Sequence, residues 1–538
     1  MSQTVLTQTT LAKPSMLPML CVSVLALSLA ACSRPVLRDA DPMPVATVIP
    51  QAYPVDQAKT VDQGPSIAAL GWQSFFADPQ LKQLIQLGLD NNRDLRTATL
   101  NIQRARAQYQ IRQAAQLPTV AANGSVTEQG NTDDSNTAYS VGLGTTAYEI
   151  DLWGRVANLK DAALQNYLAT QSAQQATRIS LIGQIAQAYL ALAFDQQQLK
   201  LAEQTLKAQQ DSLNLNIKRQ DVGIASAVPV RQSQISVETA RLAIGNYQTQ
   251  IAQDRNLLAL LIAQPVPSNL MPTAAPAQIV RPTVLGTGLP SDLLRNRPDL
   301  AQAEYSLRAA GANIAAARAA FYPTISLTGN LGFSSSSLSD LFKSGAFNYG
   351  IGPSINLPIF DGGARQANLD VSKADQQIAL SSYESAIQSA FREVSDVLAT
   401  RSTLSDRLGA QKRLVAATQS NYDLAQARYR AGLDNYLTVL DAQRSLFTAQ
   451  QAQISLQQSA LISQVNLYKV LGGGSVDQAP TDTASMVAAD TTTVGTDGTG
   501  ENVSTDSQTS VTTAQPASVV VSTTPATGGV QAVGQMEP

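Results

Sequence analysis

The sequence predicts an α+β membrane protein with an internal two-fold repeat, in which each repeat combines one β-hairpin with long amphipathic helices. Landmarks recur in order at offsets of 205 to 210 residues. They are residues 91–95 and 296–300, 117–119 and 322–324, 151–155 and 361–365, and the trio Gly223, Val230 and Gln234 with Gly432, Val439 and Gln443. Between these landmarks, segments with period two predict strands and proline-free segments with period 3.5 predict helices.

Composition excludes several classes of protein. The chain has no His and only two Cys, which removes the commonest general base and any thiolate zinc cluster. Formal charge is −3, and residues 475–538 carry seven acidic residues without Lys or Arg, so residues 1–474 come to +4. Neither balance indicates a nucleic-acid partner. We therefore expect neither an enzyme nor a cofactor.

The N-terminus has the features of a signal peptide. An apolar run from Met19 to Ala31 is too short to span a bilayer and ends in Leu29-Ala30-Ala31-Cys32. This tetrapeptide resembles the bacterial lipobox, which implies removal of residues 1–31 and lipidation of Cys32. Ser33, in place of Asp, then implies sorting to the outer membrane. The alternative is an ordinary cleaved signal with a chance cysteine.

Four segments alternate between apolar and small polar residues: 324–333, 347–357, 139–147 and, more weakly, 119–128. A half-buried sheet in a soluble domain would alternate in the same way. Length close to the 9–11 residues of a membrane strand, aromatics near strand ends and very small polar residues favour a membrane barrel. Four strands cannot close one, so other subunits must complete it. A dimer would give eight strands and a filled lumen, and a trimer twelve and an open one.

The longest helix is predicted from Arg365 to about Arg430, and its counterpart from Arg155 to about Arg219. In the second copy an apolar coiled-coil stripe runs from Tyr383 to Tyr429, interrupted by Arg401, Gln411 and Thr418. About 65 residues at 1.5 Å each make roughly 100 Å, several times the thickness of a membrane. These helices are too polar for lipid, so we expect them in an aqueous space.

Each long helix is predicted to end at a glycine turn, after which a second helix returns. The turns contain Gly223, Ile224, Ala225 and Ser226 in the first copy and Gly432, Leu433, Asp434 and Asn435 in the second. Glycine is the usual residue after a helix end, and Ser226 or Asn435 can cap the following helix. Most hairpin turns bind nothing, so these residues alone leave a partner site open.

The predicted organisation has six parts. They are a signal peptide (1–31), a lipidated extended segment (32–75), the first repeat (76–265), a Pro-rich linker (266–290), the second repeat (291–474) and an acidic Thr/Ser/Gly-rich tail (475–538), which we expect to be disordered.

Six ordered motifs within residues 70–474 resemble the TolC-like outer-membrane efflux channels, most closely the OprM-type lipoproteins that serve RND pumps. The motifs are Trp72–Pro79, Leu294–Leu300, Phe321–Leu327, Pro358–Gly363, Ala431–Leu437 and Leu467–Gly473. The resemblance implies a homotrimer with a twelve-stranded outer-membrane β-barrel continuous with a twelve-helix periplasmic α-barrel. It also implies passive efflux of drugs or metal ions, a periplasmic adaptor at the helical turns and an inner-membrane RND transporter.

In OprM-like channels a leucine, an aspartate four residues on and an arginine three beyond form the periplasmic constriction. The same spacing occurs here as Leu437, Asp441 and Arg444. From the residues alone, Asp441 and Arg444 are an ordinary i,i+3 surface pair, whereas the resemblance favours a gate. It would also make a cation site of three Asp441 carboxylates plausible.

Two other functions remain open. The outer-membrane duct of a type I protein-secretion system shares this fold, and a lipid-anchored adaptor or structural coiled coil would share the long helices. The residues do not identify the substrate, the pump or the role of the tail.

Overall fold

The computed structural model describes residues 70–132, 134–273, 276–280 and 293–474. The elements before the linker are α1 (Trp72–Phe75), α2 (Pro79–Asn91), α3 (Arg93–Ala114), β1 (Ala121–Gly130), β2 (Ser135–Glu149), α4 (Arg155–Asp221) and α5 (Ala227–Ile262). Those after it are α6 (Leu293–Asn296), α7 (Pro298–Ala319), β3 (Thr324–Ser335), β4 (Phe347–Asn356), α8 (Ala364–Arg430) and α9 (Tyr436–Val470). Short 3-10 turns lie at Ser268–Leu270, Pro276–Gln278 and Leu338–Asp340.

The four predicted strands are confirmed and form one antiparallel sheet in the order β1-β2-β3-β4. In the first hairpin Ser125 lies opposite Ser140. In the second hairpin Asn330 lies opposite Gly350. The hairpins join through β2 and β3, where Val141 lies opposite Phe333 and a bulge follows Thr145. Within the described residues, β1 and β4 each pair along one side only, so both are edge strands.

The two long helices are also confirmed, α4 and α8 having 67 residues each. Both begin after a glycine with positive φ, Gly154 at 77° and Gly363 at 90°. Each first turn is capped by an aspartate: Asp151 Oδ2 accepts from the Ala157 amide at 2.7 Å, and Asp361 Oδ2 accepts from the Arg365 amide at 3.2 Å. These contacts satisfy amides that lack a partner inside the helix.

The predicted stripe of α8 is buried at Tyr383, Ile387, Ala390, Val394 and Leu404. Of its polar interruptions, Gln411 donates its side-chain amide to the Ala449 carbonyl of α9 at 2.8 Å. Arg401 is half-buried, and desolvation lowers the pKa of its guanidinium. Among the described helices, none combines the length and apolar composition needed to cross a bilayer.

The aromatic core lies where α1, α4 and α9 meet. The rings of Phe75 and Tyr468 stack with centroids 4.5 Å apart. The Tyr189 hydroxyl donates to Asp78 Oδ2 at 2.9 Å, and Asp78 also caps α2. A Cβ on Gly473 would overlap the Tyr468 ring, so the glycine is needed for this close approach.

Corresponding hydrogen bonds join the end of α5 to the start of α3 and the end of α9 to the start of α7. Asn92 Nδ2 donates to the carbonyl of Leu261 at 2.9 Å. Arg297, at the offset of 205 from Asn92, donates through Nη1 to the carbonyl of Val470 at 3.1 Å. Arg297 also pairs with Asp299 at 2.6 Å and with Glu393 at 2.9 Å. The Leu294–Leu300 motif therefore contains a structural junction.

Several predictions concern residues outside the described part of the chain. They are the signal peptide, Cys32 as the lipidated residue, most of segment 32–75, residues 274–275 and 281–290 of the linker, and the tail 475–538.

Candidate functional site at the helical turns

The two glycine turns have the same backbone geometry. Gly223 and Gly432 both have φ of 76°. The Ile224 amide donates to the Arg219 carbonyl at 3.0 Å, and the Leu433 amide donates to the Arg428 carbonyl at 2.9 Å. These are the hydrogen bonds of a Schellman helix end, which requires a left-handed residue. Nothing lies within 4 Å of a Cβ placed on either glycine, so only the backbone conformation would resist substitution there.

Both turns expose apolar side chains. Val222, Ile224 and Leu433 are each 68–69% exposed. Ser226 and Asn435 are exposed as well, and Ala225 and Asp434 are partly covered. Apolar groups in water at the tip of a hairpin favour contact with another apolar surface. The predicted cap is confirmed for Asn435, whose side chain accepts from the Thr438 amide at 3.2 Å. Ser226 occupies the cap position without a side-chain hydrogen bond.

Asp434 stabilises its own turn through an ion pair with Arg428. Arg428 donates to both of its carboxylate oxygens, at 2.7 Å from Nε and 3.0 Å from Nη2. This contact lowers the pKa of the Asp434 carboxyl. At the offset of 209, the counterparts of Arg428 and Asp434 are Arg219 and Ala225. The first turn therefore lacks the carboxylate, and Arg219 is directed elsewhere.

Arg219 contacts the other hairpin. Its Nη1 donates to the Tyr429 carbonyl at 3.2 Å, and its guanidinium covers the Tyr429 ring. The Tyr429 hydroxyl donates to Oδ1 of Asn216 at 2.5 Å, and Asn216 Nδ2 donates to Oγ of Ser233 at 2.6 Å. Asn216 is fully buried, so its amide depends on these partners. We call Asn216, Arg219, Ser233 and Tyr429 the hairpin link, because they join α4 and α5 to α8.

Leu437, Asp441 and Arg444 lie together on one exposed face of α9. The opposite face buries Tyr436, Val439, Leu440 and Gln443. Among the described residues, no ion pair joins Asp441 to Arg444. The structure thus places the three predicted constriction residues side by side, and within the described part of the chain no hydrogen bond or ion pair is seen at the Asp441 carboxylate or the Arg444 guanidinium. Nor do three or more acidic side chains converge on a metal site anywhere in the described residues.

Comparison with known proteins establishes the family. Residues 84–264 and 289–473, which together cover most of both predicted repeats, each match the model of the outer membrane efflux proteins. The chain belongs to this family.

Relatives of this outer membrane efflux protein agree with the assignment. It is 45% identical over 470 residues to the antibiotic efflux pump outer membrane protein ArpC of Pseudomonas putida, covering 86% of this chain and 96% of the relative. It is 39% identical over 454 residues to the cation efflux system protein CusC of Escherichia coli O157:H7, covering 84% and 97%. The open-state MtrE outer membrane channel of Neisseria gonorrhoeae superposes with a TM-score of 0.73 at 37% identity, covering 79% and 98%.

Sequence reasoning missed the hairpin link of this efflux protein. Its members lie on three helices, and their spacing along the chain carries no sign that they meet. One available signal was the replacement of the Asp434 position by Ala225 in the first repeat, which leaves Arg219 without its local carboxylate.

Proposed function

We propose that the protein is the outer-membrane exit channel of a tripartite efflux pump, conducting drugs, other small toxic compounds or metal ions passively from the periplasm to the exterior. The match of both repeats to the outer membrane efflux family carries this conclusion. Relatives named for antibiotic, toluene and cation efflux support it and leave the substrate class open.

The proposed assembly is a homotrimer. Among the described strands the sheet has two free edges, and the strongest packing of the long helices runs in the order α5, α4, α9, α8. Three copies would join edge to edge into twelve strands and twelve long helices. Two copies would give only eight strands, and side chains would fill the lumen of so small a barrel. Closure also supplies partners for edge groups that lipid could not satisfy.

The proposed partners follow from the same architecture. The turns at Gly223 and Gly432, with exposed Ile224 and Leu433, would meet a periplasmic adaptor, and the adaptor would connect to an inner-membrane RND transporter. Cys32 would carry the lipid that helps anchor the chain in the outer membrane. Leu437, Asp441 and Arg444 would form the periplasmic constriction.

Drug susceptibility tests the function. Deleting the gene should increase susceptibility to antibiotics, solvents or metal cations several-fold, and a plasmid copy should restore resistance. The alternative, a type I secretion duct, would instead lose a secreted protein from the medium while susceptibility stayed unchanged. That second result would overturn the efflux assignment.

Lipidation has its own test. Intact mass spectrometry of the mature protein should show an acylated Cys32 at the N-terminus. A Cys32→Ala variant should be processed poorly yet still reach the membrane, because the barrel can hold it there. An unmodified mature chain would show that lipidation plays no part.

A further inference from the structure

The two hairpins of the sheet follow one rule of correspondence. Adding 205 to a residue of β1 and 210 to a residue of β2 gives the corresponding residues of β3 and β4. Ser125 lies opposite Ser140, and their counterparts Asn330 and Gly350 also lie opposite each other. A similar correspondence holds in the helices, where Asn92 with Leu261 corresponds to Arg297 with Val470 at offsets of 205 and 209.

The same offsets convert the residue pairs of the β2–β3 junction into pairs between β4 and β1. Inside the protomer β2 meets β3, with Gly144 opposite Asn330 and Tyr139 opposite Ser335. The counterpart of β2 is β4 and the counterpart of β3 is β1, both of which are edge strands. Gly144 and Asn330 become Ser354 and Ser125, and Tyr139 and Ser335 become Tyr349 and Gly130.

We propose that β4 of one protomer pairs antiparallel with β1 of a second copy, in the register that places Ser354 opposite Ser125 of the neighbour. The proposal rests on the proposed oligomer and specifies how its copies join. The pairing of β4 with β1 between two protomers then has the same arrangement as the pairing of β2 with β3 within one protomer.

The two faces of the sheet fit this register. Ser354 lies on the small polar face of β4, with Gly350 and Gly352, and Ser125 lies on the matching face of β1, with Asn123 and Thr127. A slip of one residue would place the polar face of one strand beside the apolar face of the other. A slip of two residues would keep the faces together, so other side chains must decide between those registers.

Serine hydrogen bonds favour the proposed register over the slipped ones. Ser125 and Ser140 join through their hydroxyls at 2.7 Å, and Ser326 and Ser354 do the same at 2.7 Å. Placing Ser354 beside Ser125 of the neighbour continues these bonds into one ladder of four hydroxyls across the junction. Each hydroxyl can donate once and accept as well, so the three hydrogen bonds of the ladder give every one of the four hydroxyls at least one partner.

Side-chain size on the apolar face agrees. Tyr349 is 77% exposed and Ile355 is 70% exposed in the protomer. The register sets Tyr349 opposite Gly130 and Ile355 opposite Gly124. Because glycine has no side chain, each large side chain can pack across the glycine of the neighbouring strand. At the base of the sheet, Leu117 before β1 and Phe360 after β4 are exposed as well, and closure at this end would bring them toward each other.

Paired cysteines test the register. The only natural cysteines are Cys21 and Cys32, so the strands can be labelled cleanly. Opposite residues of an antiparallel pair have Cα atoms about 4.5–5.5 Å apart, within disulfide range. The variant with both Ser125→Cys and Ser354→Cys should migrate as a covalent trimer under non-reducing denaturing conditions and return to monomer on reduction.

Two register-shifted pairs serve as matched controls: Ser354→Cys with Thr127→Cys, and Ser354→Cys with Asn123→Cys. Each should crosslink several-fold more slowly. The Ser125→Cys and Ser140→Cys pair checks oxidation within one hairpin. Faster crosslinking of a shifted pair, in a protein that remains trimeric by native electrophoresis, would overturn the register and leave the efflux channel intact. Absence of any trimer would overturn the proposed assembly and the register with it.

Discussion

The guanidinium carbon of Arg219, near the end of α4, lies 4.7 Å from the centre of the Tyr429 ring, near the end of α8. The two residues belong to different helical hairpins. Together with the buried Asn216, they make the tip region of the protomer one unit. Separating the hairpins would break a hydrogen bond to a fully buried amide and remove a cation from an aromatic face.

Loss of the hairpin link should loosen the contact between the two hairpins at the tip region of the protomer. Tyr429→Phe keeps the ring and leaves Oδ1 of Asn216 without its donor, at a cost of about 1–3 kcal/mol. We expect higher single-channel conductance in planar bilayers. Tyr422→Phe, on the same helix and half-buried, is the matched control. Equal conductance of the two variants would mean that the hairpin link does not restrict the pore.

The glycine turns should resist substitution through backbone conformation alone. Gly432→Val forces a β-branched residue to a φ of 76°, which costs about 1 kcal/mol or more. We expect reduced drug resistance and weaker crosslinking to the adaptor, with trimer abundance unchanged. Gly409→Ala, inside α8, is the control because its Cβ meets only ordinary contacts. Wild-type adaptor crosslinking by Gly432→Val would place the docking surface elsewhere.

The proposed constriction should respond to removal of its side chains. Leu437→Ala combined with Asp441→Ala should raise conductance several-fold and weaken block by divalent cations, because three carboxylates near a shared axis attract them. Asp434 is unsuitable as a control, since it holds Arg428 in the turn. Asp406→Ala, an exposed carboxylate on α8, serves instead. Unchanged conductance in the double variant would show that the aperture lies elsewhere along the helices.

Thermal stability should fall as pH rises from about 4 to about 7 because of Asp195. Burial between α4 and α5, then the adjacent carboxyl of Asp254, raises the pKa of Asp195 to about 7. Because this pKa is raised in the folded protein, the folded state binds a proton that the unfolded chain releases. The stability from that proton is fully present below the unfolded pKa and lost as pH rises through about 7.

We therefore expect the thermal midpoint to decrease between about pH 4 and about pH 7 and to level off at higher pH. Asp195→Asn should flatten this decrease, because an amide can donate to Asp254 at any pH. Asp211→Asn, exposed on the same helix, should leave it unchanged. A wild-type profile that is flat over this range would contradict the shared proton.

Arg297 should matter for stability more than for transport. Arg297→Lys cannot reproduce the planar contacts to Asp299, Glu393 and the Val470 carbonyl, and we expect a loss of roughly 1–3 kcal/mol. Unfolding in denaturant would measure it, with the exposed Arg295→Lys as control. Normal stability with lost resistance would instead give this residue a transport role.

The sequence pattern was sufficient for the strands and long helices. Period-two alternation placed β3 at 324–333, and the observed strand is Thr324–Ser335. The proline-free stripe placed the start of α8 at Arg365, and the helix begins at Ala364. Both patterns depend on which face of an element is buried, and that information is local.

The contacts between hairpins could not be predicted in this way. The link between Asn216 and Tyr429 depends on the relative height of two helices, which no local pattern specifies. The role of Asp434 was missed for a related reason. A carboxylate at an exposed turn is equally consistent with a partner contact and with a brace, and only the position of Arg428 distinguishes them.

The offset between the predicted repeats grows from 205 across the first strands to 210 across the second, so the connection between corresponding paired positions is five residues longer in the second hairpin. Ser125 pairs with Ser140, 15 residues on, and Asn330 pairs with Gly350, 20 residues on. That extra length carries the exposed Phe342, which contacts Phe333. In a trimer, three long turns and three short turns would alternate around the outer end of the barrel. An antibody or phage that binds the long turns would then find three equivalent binding sites, although the barrel is built from six hairpins.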